Sequence, residues 1–325
     1  MPSTPVRDPF GRSVEYLRVS VTDRCDLRCA YCMPRGYRDF EPTDTWLTFE
    51  EIERVVRLFA HLGVRRVRLT GGEPLLRRDL PALAAALAKV PGIEDLSLST
   101  NATRLSRHAA ALARAGIARV NVSLDTLRPE RFRRITGRDA LRDVLSGLDA
   151  AAEEGLAPIK INMVVLDENK DEVDDMVEFC AQRRFILRLI ETMPVGAGRK
   201  LPRADLQPLR RRLQARYGLV DAVLPGGGPA RYLRSLDGRL SIGFITPLSQ
   251  HFCATCNRVR LSVEGTLHLC LGQENRVALR PLLRSGADDA TILALLERAV
   301  MSKPESHGFD GPRGSLIRVM AKTGG

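Results

Sequence analysis

Between about residues 15 and 192 one pattern recurs six times: a short run of β-formers, a polar or glycine-bearing connection, then an apolar-periodic helix. Strands are expected over 16–21, 64–69, 96–99, 119–123, 160–165 and 185–191. The first helix is expected from the capping box Thr48-Phe49-Glu50-Glu51 to His61, closed by Gly63. Others follow over 79–89, up to Gly116, over 129–135, 141–154 and 171–183. A helix is too long a link for a hairpin, so consecutive strands lie parallel with the helices packed outside them. Six units are too few for a closed eight-stranded barrel. The fold class expected is α/β, a partial (βα)6 TIM-like barrel, with ligands bound where the strands end.

After about residue 196 the rhythm stops. Gly196-Ala197-Gly198 and Pro225-Gly226-Gly227-Gly228-Pro229 bracket a helix expected over 206–217. Asp237-Gly238 reads as a hairpin turn whose second arm runs over 239–245. Two further strands, 259–263 and 266–270, meet at Glu264-Gly265. The expected division is a barrel core over 1–195 and a smaller α+β lobe over 196–325 that closes the open side.

Composition limits the function classes. No apolar run reaches the 18 residues of a membrane helix, and the N-terminus lacks the apolar stretch of a secretory leader, so a cytoplasmic protein is expected. Fifty Lys and Arg against 39 Asp and Glu give a net charge of +11 and a pI near 9.7. Much of that excess is a solvated basic surface; the functional reading is a polyanionic ligand, either nucleic acid or a nucleoside triphosphate. With only 5% aromatic residues and no paired four-ligand zinc sites, nucleic acid is the weaker of the two.

Six of the seven cysteines fall into two groups, which points to metal rather than to disulfides in so long a chain. Cys180, alone in an apolar-periodic helix, is expected to be a buried structural thiol. Cys25, Cys29 and Cys32 form C-x3-C-x2-C on a loop after the first strand, a spacing that suits three corners of a [4Fe–4S] cube and leaves one iron open. Zinc would require a fourth nitrogen or sulfur ligand, and no histidine adjoins this triad. Cys253, Cys256 and Cys270 again number three, which favours a second cluster with an open iron; His251 and His268 are the nearby candidates for a fourth ligand. Arg258 and Arg260, two apart on a strand, would share one face, and two adjacent guanidinium groups match an oligophosphate.

Cys25-x3-Cys29-x-Tyr31-Cys32, with Gly71-Gly72-Glu73-Pro74 one strand away, resembles the radical S-adenosylmethionine enzymes. Cys253-x2-Cys256-x13-Cys270, the run Cys256-Asn257-Arg258-Val259-Arg260-Leu261 and the final Gly324-Gly325 narrow the resemblance to the GTP 3′,8-cyclase family of molybdenum cofactor biosynthesis. It spans nearly the whole chain, from Arg18 to Gly325. The resemblance implies two [4Fe–4S] clusters and S-adenosylmethionine as cofactors, and conversion of GTP to 3′,8-cyclo-7,8-dihydro-GTP. Cys25, Cys29 and Cys32 would hold the cluster that cleaves S-adenosylmethionine; Cys253, Cys256 and Cys270 would hold the one that meets guanine. Tyr31, Gly72, Ser123 and Met193 match S-adenosylmethionine contacts. Arg18, Arg68, Ser99 (where the family often has Thr), Lys160, Arg258 and Arg260 match contacts to GTP or its conversion. Gly324 and Gly325 match a tail that assists catalysis in the active site. The partners implied are GTP, a second copy of the chain, a flavodoxin or ferredoxin as reductant, and a downstream cyclic pyranopterin monophosphate synthase, with no nucleic acid and no membrane. Two rivals have other signatures. A peptide-modifying maturase carries more auxiliary cysteines than three, and a zinc-stabilised nucleic-acid-binding protein would bind polyanions without iron.

Overall fold

In the computed structural model of the chain, residues 5–33, 36–309 and 320–323 are described. Among these described residues twelve strands form one sheet: β1 Tyr16–Ser20, β2 Arg66–Thr70, β3 Asp95–Thr100, β4 Arg119–Ser123, β5 Lys160–Val164, β6 Ile186–Ile190, β7 Val220–Ala222, β8 Arg231–Arg234, β9 Ser241–Ile245, β10 Arg258–Leu261, β11 Thr266–His268 and β12 Arg276–Ala278. The first six run parallel in sequence order, as the alternation of strand and helix signals requires. Helices at Phe49–His61, Leu80–Ala88, Leu105–Arg114, Pro129–Thr136, Leu141–Glu153 and Val173–Arg183 make the crossovers. The first of these starts on the expected capping box, with Glu51 N–H donating to Thr48 Oγ1 at 3.2 Å and Thr48 N–H to Glu51 at 2.8 Å.

Alternation along the strands separates two surfaces. Leu17, Val19, Val67, Leu69, Leu98, Val120, Val122, Ile161, Met163, Leu187 and Leu189 are fully buried among the helices and make the core. Their neighbours on the opposite face are polar or cationic: Arg18, Arg68, Ser99, Ser123, Asn162 and Arg188. In a closed (βα)8 barrel that inner face is filled by layers of branched apolar side chains. Here it stays open as a cavity of about 340 Å³.

The C-terminal strands extend this sheet from both edges instead of forming a sheet of their own. The order is β12-β11-β10-β1-β2-β3-β4-β5-β6-β9-β8-β7. β10 joins β1 in parallel, placing Arg258 beside Tyr16 and Arg260 beside Arg18. β9 joins β6 in parallel, and the expected hairpin connects β8 to β9 with Gly238 in the left-handed region at φ 73°. Sequence patterns carry no signal for a pairing over some 240 positions, so this register is legible only in the fold. Cys180 is fully buried, as its helix pattern predicts. Among the described residues no helix is long and apolar enough to cross a membrane.

Candidate active site

The first cysteine triad sits on the loop leaving β1, and backbone hydrogen bonds pin that loop on two sides. On one side Gly72 N–H donates to Thr22 O at 2.8 Å and Glu73 N–H to Arg24 O at 2.7 Å. On the other, Arg28 and Ala30 N–H donate to Thr136 O and Ile135 O at the end of a helix, at 2.8 and 3.0 Å. The glycines of the Gly-Gly-Glu-Pro turn are thus required by close approach of two backbones: a Cβ on Gly72 would lie 2.2 Å from Arg24 O. Glu73 is fully buried and accepts from Leu75 N–H at 3.0 Å, Thr100 Oγ1 at 2.7 Å and Asn101 N–H at 2.6 Å, tying the ends of β2 and β3 together. Burial, opposed by those three donors, raises its carboxyl to about 7.

Cys25, Cys29 and Cys32 carry free thiols and line the cavity. Burial, with Glu73 in support, pushes Cys25 up to about 12; burial with Asp125 pushes Cys32 up to about 11 and raises Cys29 well above its ordinary value. As thiols they stay protonated, and it is iron that would draw off the protons. N–H groups are already aimed at the sulfurs: Leu27 N–H at 3.4 Å and Asn101 Nδ2 at 3.8 Å from Cys25 Sγ, and Ala321 N–H on Cys32. Among the described residues no three Cys, His, Asp or Glu side chains form a group that could hold a single ion. Tyr31 donates to the buried Asp125 carboxylate at 2.7 Å, which fixes its ring against the same triad.

Cys253, Cys256 and Cys270 line the other end of the same cavity, although they lie more than 220 residues further along the chain. Their loop is fastened by the buried Arg12, whose guanidinium donates to Cys253 O at 2.8 Å and to Glu305 O and Pro304 O at 2.6 Å. This triad meets cations where the first meets carboxylates. Burial alone would raise Cys256, but Arg258 and the buried Lys303 outweigh it and hold the thiol at about 7.

Between the triads the wall is basic. Among the described residues Arg18, Arg68, Arg188, Arg258 and Arg260 line the cavity against one carboxylate, Glu191, which is already engaged by the Leu248 and Ser249 N–H groups at 2.9 and 3.2 Å. Burial lowers Arg68 and Arg260 to about 10, and nearby arginines push in the same direction. Such a concentration of buried like charge calls for an anionic ligand.

The structure brings together most of the residues singled out in the sequence. Tyr31, Gly72, Ser99, Ser123 and Met193 join the six cysteines and the four arginines Arg18, Arg68, Arg258 and Arg260 around one cavity. Lys160 stands apart from that lining: it lies beside Arg119 against the glycine turn, where a Cβ on Gly226 would be 3.5 Å from Lys160 Nζ. His268 lines the cavity opposite Arg260, whereas His251 stacks edge-on against His307 at 5.9 Å. Gly324 and Gly325 lie outside the described residues, but Met320 and Ala321 just before them line the cavity, and Thr323 is buried. Sequence reasoning missed Arg188, which donates to Asn162 at 2.8 Å and Asn121 at 2.5 Å, and Arg119, ion-paired with Asp95. Strand parity could have found them, since Arg119 and Asn121 share the face of Ser123.

Comparison with known proteins agrees with this geometry. The Radical SAM superfamily profile matches residues 19–180, and the Molybdenum Cofactor Synthesis C profile matches residues 185–309. The chain is 47% identical to the GTP 3′,8-cyclase of Rhodopseudomonas palustris, covering 99% of this chain and 96% of that one. It is 46% identical to the GTP 3′,8-cyclase of Paracoccus denitrificans, with 99% and 96% covered. Streptococcus suis SuiB, solved bound to S-adenosylmethionine, shares the fold with a TM-score of 0.62 at 18% identity, over 89% of this chain and 68% of that one. By its length-wide identity to these relatives, the chain belongs to the GTP 3′,8-cyclase family of the radical SAM superfamily.

Proposed function

We propose that the chain converts GTP to 3′,8-cyclo-7,8-dihydro-GTP, the first step of molybdenum cofactor biosynthesis, using two [4Fe–4S] clusters and S-adenosylmethionine. The observation that carries this reading is one cavity lined, among the described residues, by both cysteine triads and by five arginines. Bound at Cys25, Cys29 and Cys32, a [4Fe–4S] cluster with S-adenosylmethionine supplies the one-electron chemistry that closed-shell side chains cannot. The protein's own part is positioning and shielding. Tyr31, Gly72, Ser123 and Met193 hold S-adenosylmethionine beside the first triad. Arg18, Arg68, Arg258 and Arg260, with Ser99, neutralise the triphosphate and turn the ribose toward the first triad. Cys253, Cys256 and Cys270 hold a second cluster against the base. By the family resemblance Gly324 and Gly325 assist catalysis. The core over 1–195 supplies the first triad and the segment 196–325 the second. In the same reading the chain works as a cytoplasmic homodimer, takes electrons from a flavodoxin or ferredoxin, and hands its product to cyclic pyranopterin monophosphate synthase.

The test is an anaerobic assay of cluster-loaded protein with dithionite, S-adenosylmethionine and each nucleoside triphosphate in turn. A product forming with GTP alone, together with 5′-deoxyadenosine, is expected. 5′-Deoxyadenosine released at one rate whatever the nucleotide would remove GTP as the substrate.

Lys160 gives the reading a pH signature. Burial, reinforced by Arg188, Arg119 and Arg68, lowers its ammonium to about 7. Although outside the cavity lining, Lys160 is coupled to Arg188 and Arg68 within it, so a triphosphate neutralising those arginines favours its charged form and raises that value; above about pH 7 binding then takes up a proton. Affinity for GTP should therefore weaken with rising pH from about 7 upward, by up to about tenfold per unit. Titration calorimetry across pH should show that slope in the natural protein and its loss in Lys160→Met.

A further inference from the structure

Lys303 follows the helix Asp289–Met301 and is almost wholly buried, 2% exposed. A buried ammonium is held only where its donors are satisfied, and all three are. Lys303 Nζ lies 2.7 Å from Leu269 O, 3.1 Å from Arg258 O and 3.6 Å from Cys256 Sγ. Arg258 begins β10, and Leu269 immediately follows β11, one residue before Cys270. One side chain thus fastens both strands that carry the second triad and points a positive charge at one of its sulfurs. At the first triad the described contact is of another kind: Asn101, a neutral amide, lies 3.8 Å from Cys25 Sγ.

We infer that Lys303 is a charged outer ligand of the second triad, donating to the Cys256 thiolate and making a cluster held there easier to reduce than the one at Cys25, Cys29 and Cys32. The inference rests on the proposed second cluster. Its physical basis is general: a cation hydrogen-bonded to a cluster sulfur stabilises the more negative, reduced state. The couple takes one electron from the reductant, and the negative charge so added on the cluster is what a neighbouring cation stabilises.

The test is a dithionite titration of the reconstituted full chain followed by electron paramagnetic resonance, with iron and sulfide counted in each sample. Lys303→Met is expected to keep both clusters and shift the second-triad couple toward the oxidised form about tenfold, equivalent to ~59 mV for one electron. The first-triad couple should not move. Lys303→Gln, which keeps a donor without the charge, should fall between the two. A Lys303→Met protein whose second-triad cluster is retained at the natural potential overturns the inference. If Met loses that cluster, Gln decides, and a natural potential in Gln overturns it equally. Loss of second-triad iron in both variants, with first-triad iron kept, makes Lys303 a purely structural clamp and also overturns it. A separate control addresses the reading beneath it: a Cys253→Ala, Cys256→Ala, Cys270→Ala protein holding as much iron as the natural chain would remove the second cluster itself.

Discussion

Arg260→Ala is expected to lower kcat/KM for GTP by about 10²–10³-fold while iron content and S-adenosylmethionine binding stay at natural levels. Arg260 stands on β10 in register with Arg18 on one side and His268 on the other, and it lines the cavity that both triads share. No neighbouring residue can take its place, because β1 and β10 already contribute their inward-facing arginines. A short side chain there would leave part of the triphosphate facing water and let the ribose drift, and positioning is the larger share of what the protein adds. The same variant should lose most of the rise in Tm that GTP gives the natural protein, since that rise follows the affinity. Anaerobic kinetics and thermal scans with and without GTP check both halves. Natural activity in Arg260→Ala would remove the arginine face as the triphosphate site.

A single added methyl at Gly72 should be as damaging, for a steric reason. The Cβ of Gly72→Ala would lie 2.2 Å from Arg24 O, 2.6 Å from Arg24 C and 2.9 Å from Asp23 O, all backbone atoms that cannot turn aside. Relief requires the triad loop to lift from the end of β2, which breaks the bonds from Gly72 N–H to Thr22 O and from Glu73 N–H to Arg24 O. A cost of about 1–3 kcal/mol in stability is expected, with loss of first-triad iron and of S-adenosylmethionine cleavage. Gly116→Ala provides the contrast. Its φ is +89° and its Cβ would meet Ala88 Cβ at 2.8 Å, far from the cysteines. It should be destabilised comparably in urea and still hold the first-triad iron. Equal iron loss in both variants would mean that general instability, and not the loop contact, empties the site.

What was legible beforehand followed from local physics. The strand over 185–191 was expected and Ile186–Ile190 is found, because alternation and flanking helix signals are written into neighbouring residues. The shared face of Arg258 and Arg260 was likewise readable from their two-residue spacing, and both line the cavity. The partner of that strand was not readable. Val259 pairs with Leu17 through a contact across the whole fold, and nothing in either segment names the other. Lys303 was missed for a related reason: a lone lysine after a helix looks like any solvated cap until β10 and β11 close around it. Asp125 and Glu73 also gain their meaning only from burial, which the fold confers.

The order in which the strands are made has a bearing on how the protein is born. As the chain leaves the ribosome, β1 to β6 are complete once residue 190 has emerged, yet both of their outer strands are still bare. β6 gains its partner when β9 ends at residue 245, and β1 must wait until residue 261. Until residue 245 the nascent sheet exposes two parallel edges able to pair with other chains, and from there to residue 261 the edge of β1. A ribosome that stalls between residues 190 and 261 would thus hold a half-made protein open to aggregation. Synonymous codons that speed or slow this stretch should therefore alter soluble yield more than the same changes placed after β12.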